Sequence, residues 1–330
     1  MTGISRGLPY ALRIATVEQV RRALALVLLG VTLLLGACGG DGHEAATPPT
    51  ATEPPAEPEP VPQPPPAPPV PPSPVPPPTV RMSWSSAGAF VWHETDVSPE
   101  ALGKELRAAG FGWVALRIHD GVTQDPVAAD WVLRFRRASG LPVGGWGVLR
   151  ERPAEEAALA DELLARHSLD FYIADAEAEY GYTGPDGQSG DRFGRSRAFV
   201  DAFRRLRADL PAGLSSYCRP DRHDLDWEAW RAGGFVFLPQ AYVNDFGGDA
   251  APAVCAQAAR SVFGSDVHPT IGTYPGVTST VRPERYARLL ARAGTVGFSV
   301  YLAETGMTGA EWRVLGNSIG VGGIAVVPVP

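Results

Sequence analysis

Eight short apolar runs, each followed by an amphipathic stretch, constrain this chain more than any other feature. The runs are GAFVWHE (88–94), WVALRIHD (113–120), PVGGWGVL (142–149), FYIADAEAEY (171–180), GLSSYCR (213–219), FVFLPQAYV (235–243), HPTIGTYPG (268–276) and VGFSVYLAE (296–304). Their β-branched and aromatic content reads as buried strands. Between and after them, segments 98–109, 126–138, 153–167, 190–210, 225–232, 250–263, 283–293 and 308–315 place Ala, Arg, Glu and Leu at helical spacing. Ser98 before Pro99 marks a helix start, because the hydroxyl caps free amides and proline at the first position needs no donor. Eight strand–helix units in about 220 residues are what a closed (β/α)8 barrel requires. An open doubly wound sheet is the alternative, but no GxGxxG phosphate turn follows any strand. The expected fold class is therefore α/β, a single (β/α)8 TIM barrel over 81–330, with the apolar tail 319–330 as an extra strand or a lid over the barrel bottom.

The first eighty residues cannot belong to that barrel. Most of the 33 prolines lie between Pro48 and Pro78, and such a segment has no side chains with which to bury a core. Residues 38–80 read as a disordered stalk, and in polyproline II geometry about thirty residues reach roughly 100 Å. A spacer is favoured over a docking site for PxxP-reading domains. Residues 1–37 carry an export pattern: Arg6, Arg13, Arg21 and Arg22, the apolar run Ala23–Leu35, then small residues. No other run approaches the roughly 18 apolar residues that a bilayer span needs. The junction Leu35-Gly36-Ala37-Cys38 resembles the lipobox of bacterial lipoproteins, which implies a lipid on Cys38, a bilayer as partner and an extracytoplasmic location, inner or outer membrane left open. In an oxidising compartment Cys218 and Cys255 could pair or could remain two buried thiols. A formal charge of −7 gives no basic field for nucleic acid. A monomer is expected.

Catalytic groups of such barrels stand at the carboxyl ends of the strands. On the fourth strand, alternation puts Phe171, Ile173, Asp175, Glu177 and Glu179 on one face and Tyr172, Ala174, Ala176 and Ala178 on the other. If the first face points inward, two apolar residues fill the core and three acids emerge at the mouth. Neighbouring carboxylates raise one another's proton affinity, which yields the acid and base that glycosidic cleavage needs. The opposing possibility is that Arg117, Arg150 or Arg219 neutralises the acids and the cluster only holds the barrel together. Other strand ends supply Trp92 and Glu94, Arg117, His119 and Asp120, Tyr217 and Arg219, Gln240 and Tyr242, Tyr274 and Tyr301. Aromatic faces with bidentate polar groups suit a sugar ring, so these are the candidate substrate-binding residues. His93, His119 and His223 are scattered over several strand ends without HxH or HExxH spacing, so neither a metal nor a cofactor is expected. No GxSxG elbow supports a serine nucleophile.

The series WVALRIHDG, LPVGGWGV, FYIADAEAEY, GLSSYC and FLPQAYV resembles, in order and spacing, the family 25 glycoside hydrolases, lysozyme-type muramidases. That resemblance implies Asp175 and Glu177 as its Asp-x-Glu motif and Gln240 with Tyr242 as a sixth-strand aromatic site. The first strand departs from it: the family has an aspartate there, where this chain has GAFVWHE and reaches Asp96 only later. A second resemblance, to chitinase-like family 18, rests on Asp175-x-Glu177-x-Glu179-Tyr180 and implies Glu179 as proton donor; that motif's earlier aspartate falls on Tyr172. Both imply a glycoside hydrolase acting on peptidoglycan or another polysaccharide. A barrel lacking the first-strand aspartate could instead bind such a glycan without cutting it.

Overall fold

A computed structural model describes residues 81–92, 97–128, 130–177, 182–183, 188–189, 192–220, 223, 225–243, 247–264, 266–272, 282–295, 297–303 and 307–318. Eight parallel strands run in chain order: β1 (Ala87–Val91), β2 (Phe111–Asp120), β3 (Val143–Val148), β4 (Tyr172–Ala176), β5 (Ala212–Tyr217), β6 (Phe235–Ala241), β7 (Thr270–Gly272) and β8 (Phe298–Tyr301). Each pairs with its neighbour in sequence, and β1 pairs with both β2 and β8, so the sheet closes into a barrel. Helices α1 (Pro99–Ala108), α2 (Trp131–Ser139), α3 (Pro153–Arg166), α4 (Arg192–Leu206), α5 (Trp227–Ala232), α6 (Pro252–Phe263), α7 (Pro283–Ala293) and α8 (Gly309–Gly316) follow the strands one by one. This is the α/β barrel that the alternation of the sequence demands. The tail 319–330 lies outside the described residues.

Local chemistry sets the element ends. The Ser98 hydroxyl accepts from the Ala101 amide at 3.3 Å with Pro99 at the first helical position, and Thr308 with Glu311 forms a reciprocal capping box on α8. Helix α2 begins later than the helical spacing suggests. Residues Thr123–Gln124 first turn back as a short antiparallel strand against the end of β2.

Alternation divides the core in two. Tyr172, Ala174 and Ala176 of β4 join the large apolar layer between barrel and helices. Phe171 and Ile173 join Phe90, Trp113, Ala115, Trp146 and Leu238 inside the barrel. Near the lower end, Trp84 meets Trp113 and Phe171 edge-on, both at 5.6 Å between ring centroids. The Trp113 ring needs the missing side chain of Gly88, where a Cβ would lie 2.0 Å from it. At the other end a disulfide joins Cys218, just past β5, to Cys255 on α6, with Cα atoms 5.0 Å apart.

Candidate active site

The strand ends opposite Trp84 form a mouth, and its centre is the end of β4. Register sets Asp175 beside Val148 of β3 and Ser215 of β5. Asp175 is 8% exposed, and Glu177 follows where β4 leaves the ladder. From β6, the side-chain amide of Gln240 reaches across β5. Its Nε2 donates to Glu177 Oε1 at 2.6 Å and to Asp175 Oδ1 at 3.2 Å, with the Ser215 hydroxyl 3.3 Å away. One donor therefore brings both carboxylates to the same point of the mouth and supplies the hydrogen bonding that a buried acid requires.

Across the mouth, Arg117 of β2 lies over Trp92 and Trp146, its guanidinium carbon 5.5 and 5.7 Å from their ring centroids. The same guanidinium pairs with Asp120 and Asp125, each at 2.8 Å. Arg150 takes Asp120 from the other side, at 2.7 and 3.1 Å. Burial pushes the Asp120 carboxyl up, but the hydrogen bond and charge of Arg150, with Arg117 behind it, outweigh burial and leave it below its ordinary value. Both arginines are thus engaged with Asp120 or Asp125. Tyr301 completes an aromatic wall: it stacks on Tyr242 at 5.7 Å and lies 6.3 Å from Trp92 and 6.1 Å from Trp146. The Trp146 indole is fixed by its bond to the Val91 carbonyl at 3.0 Å.

Of the residues singled out from sequence, Asp175, Glu177, Trp92, Arg117, Gln240, Tyr242 and Tyr301 converge on this mouth. Tyr217, at the end of β5, stacks on His223 at 5.5 Å with planes 11° apart. His119 does not join them. It is fully buried between barrel and helices, with Nδ1 2.8 Å from the Gly121 carbonyl and Nε2 2.8 Å from the Tyr172 hydroxyl. The cause is a register shift between Arg117 and His119, which breaks the alternation that would have kept both inside. Arg219, with Pro220, lines a groove of about 520 Å³ against Val254, Gln257, Ala258, Ser261 and Val262 of α6. Glu94, Glu179 and Tyr274 lie outside the described residues, as do His93, Asn244 and Cys38. Trp146 and Ser215 were not foreseen, although both share the parity of inward neighbours on their strands. Among the described residues no group of three or more His, Cys, Asp or Glu is placed to hold a metal ion.

The molecule is a (β/α)8 barrel with a carboxylate pair at the mouth. No protein-family model and no curated protein matches its sequence. Solved structures do share the fold. A GH18 chitinase from Pseudoalteromonas aurantia superposes with a TM-score of 0.55 at 10% identity, covering 71% of this chain and 99% of that one. A family GH18 chitinase from Cycas revoluta, in complex with allosamidin, gives 0.52 at 9%, covering 71% and 100%. The class V chitinase from Nicotiana tobaccum gives 0.51 at 7%, covering 71% and 99%. At such identities the likeness is one of fold. The family 25 resemblance gains no support from it.

Proposed function

We propose that this chain is a glycoside hydrolase of an extracellular or cell-wall polysaccharide, with Glu177 as the general acid and Asp175 as its partner. The observation that carries the reading is the Gln240 amide bound to both carboxylates at the mouth. A single amide donor orients the two acids toward one point of the mouth. The aromatic wall of Trp92, Trp146, Tyr242 and Tyr301 suits the apolar face of a sugar ring. The chitinase likeness adds the substrate class: the tobacco enzyme was solved, as a mutant, with NAG4, so N-acetylated glycans are the first substrates to try. The sequence of the first eighty residues supports display of the domain outside the cell on a lipid at Cys38.

The test compares the purified chain with Glu177→Gln on chitin oligosaccharides and peptidoglycan, reading reducing ends. A general acid contributes about 10²- to 10⁴-fold, so the variant should lose turnover by that factor while its melting temperature stays put. An equally active variant overturns the assignment of Glu177, and loss only in Glu179→Gln moves the acid two residues along the chain. Glycan retained without release by the wild type overturns hydrolysis and leaves a binding barrel.

A further inference from the structure

Helix α7 presents a row of arginines without partners among the described residues. Arg285, Arg288 and Arg292 follow one another at i, i+3 and i+7, so they share one face, and Arg282 stands at the helix start. All four are exposed. Among the described residues none of their guanidinium groups forms an ion pair or a hydrogen bond, unlike Arg134, Arg136 and Arg231 on other helices, which each hold a carboxylate. The helix carries a single acid, Glu284. Glu311 at the start of neighbouring α8 is occupied by Thr308. In a chain of net charge −7, such a row runs against the average field.

Geometry narrows what the row fits. The apolar face of α7, with Tyr286, Leu290 and Ala293, is buried against the barrel, so the helix has nothing to insert into a bilayer, as interfacial helices do. The charges lie in single file about one helical turn apart, and Arg282 to Arg292 spans about 15 Å. Because α7 follows β7, it starts at the mouth and runs down the side of the barrel. We propose that this face is an ancillary site for a linear polysaccharide bearing carboxylates, its guanidinium groups pairing with successive acidic sugars. Guanidinium–carboxylate geometry is bidentate, which favours arginine over lysine at such a row. The site is separate from the mouth and stands whether or not the mouth hydrolyses its glycan.

The probe is polygalacturonate, titrated calorimetrically into the full chain at low salt. Wild type should bind, with affinity falling as salt rises. The triple variant Arg285→Gln, Arg288→Gln, Arg292→Gln should bind roughly tenfold or more weakly, with an unchanged melting temperature. A control triple, Arg81→Gln, Arg137→Gln, Arg205→Gln, removes the same charge elsewhere and should stay within about twofold. Equal binding by the α7 triple, or equal loss in the control, overturns the proposal. So does a response confined to phosphatidylglycerol vesicles, which would give the face to a membrane. Glu177→Gln should bind polygalacturonate as wild type does, so failure at the mouth and failure on α7 are read separately.

Discussion

A backbone carbonyl can only accept, so Nδ1 of His119, 2.8 Å from the Gly121 oxygen, carries the ring proton. Nε2 is then the acceptor for the Tyr172 hydroxyl, and the ring is neutral, as burial, which lowers its pKa to about 4, also requires. Room for this ring comes from Gly147 of β3, where a Cβ would lie 2.0 Å from Nε2. Gly147→Ala should therefore cost about 1–3 kcal/mol of stability, read as a lower urea midpoint. In a His119→Ala background the same change should cost much less; an undiminished cost would show that the methyl meets something else. Period-two reading of the sequence sorted Phe171, Ile173, Asp175 and Glu177 correctly because β4 is regular. It failed at His119 because a bulge leaves no mark in the pattern of apolar residues.

Strands and helices were legible because each had its own period and its own punctuation. Pro99, Pro153, Pro252 and Pro283 all stand at helix starts, and Gly140, Gly264 and Gly294 at helix ends. What could not be read was how far a strand runs once its side chains turn polar. The run 171–180 suggested one long strand, yet pairing stops at Ala176, between Asp175 and Glu177. Likewise the antiparallel pair of β2 with Thr123–Gln124 has too few residues to show a period. The pairing of Cys218 with Cys255, undecided by spacing, ties the loop after β5 to α6. Closing a loop over 37 residues restricts the unfolded chain by about 4 kcal/mol in the chain-entropy view. Replacing both cysteines with serine should lower stability by roughly 2–4 kcal/mol in chemical denaturation. A change near zero would mean that the loop after β5 is held by its packing alone.

At the scale of the barrel, the buried titratable groups set the response to acid. His119 lies between strands and helices, and His268 lies at the lower end, 2.7 Å from the Trp84 carbonyl and 5.6 Å from the Trp113 ring. Burial lowers both from 6.5 to about 4. Above 6.5 each is neutral whether the chain is folded or not, so neither affects stability there. Between 6.5 and about 4 the unfolded chain takes up protons that the folded chain refuses, and stability falls by up to about 3 kcal/mol for each ring. Glu156 works the other way: burial raises its carboxyl, so its charge costs stability at neutral pH and protonation relieves part of that cost. Asp120, held low against burial by Arg150 and Arg117, adds a loss only below its ordinary value of 3.8. The two histidines should dominate, and the unfolding free energy should drop from pH 7 to pH 4.5. His268→Gln keeps a donor for the Trp84 carbonyl and removes one titration, so it should shrink that drop by roughly half. An unchanged acid drop in this variant would place the proton uptake elsewhere and leave His268 as packing alone.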